Sequence, residues 1–414
     1  MPTRRWLIVL AALAATSQGA CSEDDSPEAT APTASAGPLA SSSSVLVADE
    51  SEDGVAPQKK GRATEAGQRI DIPAGTVVAG STPGDDGRHP SFEPPNLEFS
   101  LGGYSIDLLP YPNDPNQKPQ TKVDRAEAEK LCGERSGRLC TDLEWERACK
   151  GPDGDRFAGG KRWDPDCAKA PERCASGFGL LAMGGALREW TSSTVPRIKG
   201  VVKKDAPVIK GAGADAADVE HRCARRDVVG AETKSSDLGF RCCYGDRPAA
   251  SIPAPEWGPT MKRVDFPPAK LTELVRADPK LARLAEEEIK YFNEGAAKAT
   301  ILRRAKTRGG TSELPDNAEV TTAPVIWNPA PGEEILLVTG LSGKDSFVLA
   351  YHRLPDGRHR LGAAMVMENE LGPVALVYDK YRRRKLQWSS CLDCYGDTGN
   401  VTYREENRVV ITQR

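Results

Sequence analysis

Hydrophobic positions along this chain change their period several times, and each change predicts a different element. Trp6–Ala15 is one unbroken apolar run behind Arg4 and Arg5. Ten residues are too few to cross a roughly 30 Å hydrocarbon core, so the run predicts an export signal over 1–20 rather than a transmembrane helix. From Ser22 to Ala48, 19 of 27 residues are Ser, Ala, Thr, Pro or Gly. Such a segment buries too little apolar surface to offset its chain entropy, which predicts a disordered tether over 21–65. A mixed pattern follows over 66–245. Ile72-Pro73-Ala74-Gly75 opens a strand through Thr76–Gly80. Asp124 caps a helix carrying Ala128, Leu131 and Cys132, and Thr141-Asp142-Leu143-Glu144 reads as a capping box. In the helix it starts, Trp145, Ala148 and Cys149 share one face, and Gly151 is the stop. Turns dominate from Gly151 to Gly177. Trp145, Trp163 and Trp190 are expected in the core.

Beyond Asp246 the pattern resets. Pro248, Pro253, Pro255 and Pro259 predict a stiff linker over 246–264. Asp278-Pro279 has the form of a helix N-cap with proline at the first helical position. Leu281, Leu284, Ala285, Ile289 and Phe292 then make one apolar stripe. Short strands are expected at 335–339, 346–351, 362–367, 373–378, 385–389, 401–403 and 409–412, with Asp356-Gly357 and Arg382–Lys385 at hairpin tips. The expectation for 265–414 is an antiparallel sheet packed on a helix, and its sequence resembles no particular family.

Composition narrows the classes. With 56 basic and 59 acidic residues the net charge is −3, so no global field favours nucleic acid. Eleven cysteines beside four histidines argue for an oxidising compartment and against a zinc-rich protein. Thr16-Ser17-Gln18-Gly19-Ala20-Cys21 resembles a bacterial lipoprotein cleavage site, which would make Cys21 the lipid attachment and the anchor the only membrane contact. Cleavage after Ala20 that leaves a free Cys21 is the other reading. Both place the protein in the cell envelope, at the outer membrane or in the periplasm.

Several stretches then occur in a fixed order: Ile72-Pro73-Ala74-Gly75, Glu93-Pro94, Tyr104-Ser105-Ile106-Asp107, and Val123 with Ala128 and Cys132. Arg138-Leu139-Cys140-Thr141-Asp142-Leu143-Glu144-Trp145-Glu146, Met183-Gly184-Gly185 with Glu189-Trp190, and Gly239-Phe240-Arg241-Cys242 complete the series. Their order and spacing resemble the formylglycine-generating enzyme, or sulfatase-modifying factor, family over about 70–244. The resemblance implies a loop-rich, disulfide-stabilised domain related to C-type lectin-like folds, so the whole chain is expected to be α+β. It implies the bridges Cys132–Cys242 and Cys149–Cys223. Cys140 and Cys243 are extra to the family pattern and neighbour those bridges, so they are paired by elimination. Cys167 and Cys174 are close enough in sequence to close one loop.

The catalytic pattern is where the sequence departs. Enzymes of this family oxidise a substrate cysteine with copper held by two cysteines, between an Arg-Gly-Gly-Ser motif and an Arg-Cys-Ala-x-Arg stretch. The equivalent segment here, 208–221, has no cysteine, and copper(I) prefers soft thiolates. Ala186 stands where the family has an asparagine that helps a structural calcium. The expectations are therefore no catalytic residue, no metal and no cofactor. Lys210, Asp215, Asp218, Glu220 and His221 form a candidate binding loop for an envelope protein, peptide or glycan. His221 beside Asp218 and Glu220 has a metal reading, set against a solvated polar loop. His89 reads as a surface or turn residue. The rival to a binder is an oxidoreductase of the same type with relocated chemistry. Cys391-Leu392-Asp393-Cys394, in a turn between strands, reads as a local disulfide. Thiol–disulfide exchange is its alternative reading.

Overall fold

The computed structural model describes residues 65–198, 201–255, 258–368, 372–381, 385–404 and 408–414. The expected signal, Cys21, all but the last residue of the tether and Arg382–Arg384 of one expected hairpin tip lie outside the described residues. The first domain runs through β1 (Arg69–Ile72), β2 (Gly75–Ala79), β3 (Leu97–Leu101), β4 (Tyr104–Asp107), α1 (Arg125–Gly133), β5 (Arg138–Leu139), α2 (Asp142–Lys150) and the one-turn α3 (Asp166–Lys169). After these come β6 (Arg188–Val195), β7 (Ala206–Lys210), β8 (Arg226–Val228), β9 (Leu238–Phe240) and β10 (Cys242–Tyr244). Pro73-Ala74 separates β1 from β2, so Ile72 belongs to a strand of its own rather than opening the next one. The strands form small sheets in the orders β1-β4-β10-β5, β2-β3 and β8-β7-β6-β9.

Local chemistry sets both helix starts. The Asp124 side chain accepts the Glu127 N–H at 2.9 Å. Thr141 Oγ1 accepts Glu144 N–H at 3.2 Å while the Glu144 carboxylate accepts Thr141 N–H at 2.8 Å, closing the capping box. Gly151 ends α2 with a φ of 68°, which a side chain would resist. All nine residues of α2 are buried, the charged ones included. One apolar face was expected, and the structure covers the whole helix.

Disulfides join the short elements. Cys132–Cys242, Cys140–Cys243 and Cys149–Cys223 close separations of 110, 103 and 74 residues. Cys167–Cys174 and Cys391–Cys394 close 7 and 3.

The second domain begins inside the expected linker, because β11 (Thr260–Arg263) is already an edge strand. It continues with α4 (Pro268–Ala277), a 3-10 segment at Pro279–Ala285, β12 (Ile289–Lys290), α5 (Glu294–Arg308), β13 (Ala318–Thr321), β14 (Val325–Asn328) and β15 (Ile335–Ser342). Then come β16 (Asp345–Arg353), β17 (His359–Glu368), β18 (Ala375–Asp379), β19 (Lys385–Ser389), β20 (Thr398–Arg404) and β21 (Arg408–Gln413). One antiparallel sheet orders β11-β14-β15-β16-β17 with β12 also on β15, and the other orders β13-β18-β19-β20-β21.

The expected antiparallel sheet packed on helices is present, with two sheets stacked on each other where one was expected. Trp327, Leu337 and Val348 meet Leu376, Leu386, Trp388 and Val401 between them. The outer face of the first sheet, with Leu336, Val338 and Leu349, is covered by Leu271 and Val275 of α4 and by Leu281 and Leu284. Ile301 and Ala305 of α5 cover Val320, Ala375 and Val377 on the other. A strand covered on both faces has no need to alternate, which explains the continuous run Ile335-Leu336-Leu337-Val338.

The long helix expected after Asp278 is also corrected. Asp278 does cap, accepting the Lys280 N–H at 2.9 Å. Only a short 3-10 segment follows, since the i, i+3 spacing of Leu281 and Leu284 suits three residues per turn. Ile289 instead pairs with Ser342 at the edge of β15. Among the described residues no helix is long and apolar enough to cross a membrane.

Candidate functional site

Segment 208–221, which the resemblance sets against the family's thiols, begins at the end of β7. Lys210 lies there fully buried, its Nζ 2.9 Å from Glu146 Oε2 on α2. Glu146 Oε1 also receives Lys150 Nζ at 2.8 Å and the Gly80 N–H at 2.7 Å. Burial would raise the Glu146 carboxyl, but Lys150 and Lys210 together outweigh it and hold the group below the usual carboxylate range. Burial pushes the Lys210 ammonium down from its ordinary value, with Glu146 opposing. Gly211 turns the chain away with a φ of 81°. A Cβ there would sit 2.8 Å from Leu187 O.

The other end of the segment is fixed as firmly. His221 is buried, stacked on Trp163 with ring centroids 3.9 Å apart. Its Nδ1 lies 2.8 Å from Gly184 O and its Nε2 3.2 Å from Ala216 O. Arg222 forks onto Glu93 at 2.6 and 2.9 Å, Cys223 is bonded to Cys149, and Arg226 Nε reaches Asp142 at 2.8 Å. Burial alone would raise the Glu93 carboxyl. The Arg222 guanidinium, with Ser81 Oγ and His89 N–H donating, brings it down to about 2.

The candidate loop residues therefore divide. Lys210 and His221 are structural and inaccessible, which corrects their place in a binding loop and corrects the picture of His221 as solvated. Burial follows because Glu146, Trp163 and two carbonyl oxygens supply partners that water would otherwise provide. Asp215 and Asp218 are exposed, and Glu220 is half-buried with Arg225 3.7 Å away. The metal reading of His221 finds no support, because both ring nitrogens face carbonyl oxygens. Trp163 is half-buried rather than fully in the core, whereas Trp145 and Trp190 are buried. His89 lies half-buried in a turn and stacks on Phe92 at 4.4 Å.

Chemically the segment offers exposed carboxylates and alanine methyls, and no thiol or side-chain hydroxyl between 208 and 221. Among the described residues the tight group of metal-ligating atom types is Asp164 with Cys167 and Cys174. Those two sulfurs are bonded to each other and provide no thiolate. Cys391 and Cys394 are likewise joined, buried beneath the end of α5, so neither sulfur is placed for attack by an external thiolate. Beside the loop, Ser81, Asn96, Asp155, Arg156, Lys161 and Arg222 contribute to an open polar cavity of about 340 Å³.

Sequence reasoning missed the charges that hold this region together. Glu189, fully buried, accepts Trp145 Nε1 at 2.8 Å and Arg241 Nε at 2.9 Å. Arg241 also donates to the carbonyl oxygens of Asp107, Leu108 and Leu181. Arg88 pairs with Glu333 of the second domain, and Gly84 N–H donates to the same carboxylate at 3.0 Å, so a buried ion pair joins the two domains. The available signal was the density of charge in Asp142–Lys150, too high for a helix with one wet face.

The sulfatase-modifying factor enzyme 1-like domain family matches residues 106–245. No curated protein matches the chain. Among solved structures, it is similar to PvdO from Pseudomonas aeruginosa at 15% identity and a TM-score of 0.36, over 45% of this chain and 98% of that one. It is similar to CarF at 17% identity and a TM-score of 0.33, over 43% and 97%. Treponema denticola variable protein 1 is similar at 15% identity and a TM-score of 0.33, over 44% and 95%. Residues 106–245 of this α+β chain, which carry most of the ordered motifs, are thus similar to the sulfatase-modifying factor enzyme 1-like domain family.

Proposed function

We propose that this chain is an exported, lipid-anchored envelope protein whose sulfatase-modifying-factor-like domain binds a protein, peptide or glycan without catalysis. The observation that carries the reading is the state of its cysteines. Ten of the eleven are joined in five disulfides, and the segment that would hold copper-binding thiols has none. What the segment does have is a rigid base, built from Lys210–Glu146, Arg222–Glu93 and Cys149–Cys223, under an exposed tip with Asp215 and Asp218. Loops on a fixed scaffold suit recognition. Five disulfides suit an oxidising compartment, and Cys21 would supply the anchor.

Thiol titration of the denatured, unreduced protein tests the reading, together with copper content after incubation with copper(I) and desalting. The expected result is no reactive thiol among residues 65–414 and well below one equivalent of copper. A reactive pair, or one equivalent of bound copper, would sink the proposal in favour of the oxidoreductase. Peptide and glycan arrays probed with the full chain read the binding arm. Asp215→Ala with Asp218→Ala should remove the signal without moving the unfolding midpoint, and an unchanged signal would take the loop out of recognition.

A further inference from the structure

We propose that a second cavity of the first domain, between the start of β1, the turn after β4 and the end of α1, binds an oxyanion. The ligand class is a small molecule or saccharide bearing a carboxylate, sulfate or phosphate. The cavity measures about 500 Å³, and Arg69, Asp107, Asp114, Gln117, Arg135 and Tyr244 contribute to its wall. None of these residues belongs to the 208–221 segment, so the site stands apart from the loop.

Two guanidiniums define its chemistry. Arg69 sits opposite Asp107 in the β1–β4 ladder and reaches across β4 to place Cζ 3.3 Å from the centroid of the Tyr244 ring on β10. Arg135 places Cζ 4.2 Å from the centroid of the Tyr111 ring, which stacks in turn on Phe240 at 4.7 Å. A guanidinium laid on an aromatic face is held in orientation while its N–H edges stay free to donate. Arg135 gives Nη1 to Pro112 O at 2.9 Å. Among the described residues neither Arg69 nor Arg135 has a carboxylate within ion-pair distance, Arg135 acting on Asp107 only at longer range. Elsewhere in the same domain Arg138, Arg188, Arg222 and Arg241 each hold a carboxylate.

The acids in the wall do not fill that role. Asp107 is buried and accepts Tyr244 Oη at 3.0 Å, Asn113 Nδ2 at 3.1 Å and Cys242 N–H at 3.3 Å. Asp114 accepts Asn116 N–H at 2.9 Å and Gln117 Nε2 at 2.6 Å. The cavity thus presents two oriented guanidiniums without an ion-pair partner, beside carboxylates that take their hydrogen bonds from other donors. An oxyanion that accepts from both forks matches that arrangement.

Calorimetric titration of the full chain with sulfate, phosphate and acetate, at constant ionic strength against chloride, tests the proposal. Saturable binding of at least one anion is expected, and the anion that saturates identifies the ligand's acidic group. Arg69→Gln and Arg135→Gln should each weaken it about tenfold or more, and the double variant should abolish it. Arg135→Lys keeps the charge but loses the fork, and should fall between. Arg360→Gln, an arginine of the second domain, should bind as the wild type does. Should a glutamine variant fail to fold, Arg69→Lys and Arg135→Lys put the same question. The absence of saturable binding by all three anions, or wild-type affinity in both glutamine variants, would overturn the site. Neither result touches the thiol count or copper content that test the non-catalytic reading.

Discussion

The two domains of this chain build their interiors differently: both have apolar clusters, and the first adds a set of buried ion pairs. In the second, two antiparallel sheets with strands of up to ten residues enclose Trp327, Leu337, Trp388 and Val401, and helices cover the outer faces. In the first, strands of two to eight residues leave little regular surface to stack. Its interior holds Glu146 between Lys150 and Lys210, Glu189 under Arg241, Glu93 under Arg222 and Asp142 under Arg226. An apolar core is non-directional and tolerates repacking. A core of ion pairs is stable only when each charge keeps its partner and its remaining hydrogen bonds. Such a core fixes the position of the loops between its short strands.

Covalent linkage should show the contrast most strongly. Removing Cys132–Cys242 by Cys132→Ala with Cys242→Ala should cost roughly 4–5 kcal/mol, as expected for a closed loop of about a hundred residues. Removing Cys391–Cys394 should cost much less. Hydrogen exchange should show protection lost over 69–244 and kept over 335–412. Equal losses in both domains would mean that the two cores do not fold independently enough for the contrast to hold.

Charge comes next. Glu146→Gln leaves two buried ammonium groups without their anion and should destabilise by about 3–5 kcal/mol. Leu337→Ala in the second domain should cost about 2–5 kcal/mol through its cavity. Measured between pH 5 and 8, the Leu337 loss should be constant. A Glu146→Gln loss near zero would show that the buried ion pairs add nothing to the stability of the first core.

Acid should separate the domains without mutation. Because Glu93 is held at about 2 and Glu146 is also depressed in the folded state, their stabilisation is fully present above the ordinary carboxylate range. It is lost as pH falls from about 4.5 towards 2. Tryptophan fluorescence and exchange should therefore report the first domain opening at a higher pH than the second. A single transition would make the domains one acid-labile unit, coupled through Arg88–Glu333.

The smallest effect tests local structure. Thr141→Ala removes half of the capping box and should cost about 1 kcal/mol by thermal unfolding. A loss as large as that of Glu146→Gln would mean that Thr141 anchors the charged core rather than only the helix end.

Local signals carried much of the fold. Asp124 and Thr141 act where they stand, through N–H groups three residues away, so the starts of α1 and α2 were legible. The short apolar runs of the second domain located β15 through β21 within a few residues. The second layer of that domain was not legible, because a strand apolar on both faces reads the same whether a helix or a sheet covers it. The segment after Asp278 misled for a related reason: an apolar stripe does not say whether Ile289 will turn with a helix or pair with Ser342. At the candidate site, Lys210 and His221 read as polar loop residues because their partners, Glu146 and Gly184, lie 64 and 37 residues away.

By itself, the sequence determined the kind of domain, its cysteine inventory and the absence of a thiol between 208 and 221. Those follow from residue identity and short-range order. Tertiary structure alone decided which charges lie inside, which arginines keep free donors, and that Asp215 and Asp218 are the exposed part of the loop. Electrostatic pairing depends on distances between residues far apart in the chain, and at the high density of charge in this domain several pairings are compatible with one sequence pattern. Packing selects among them.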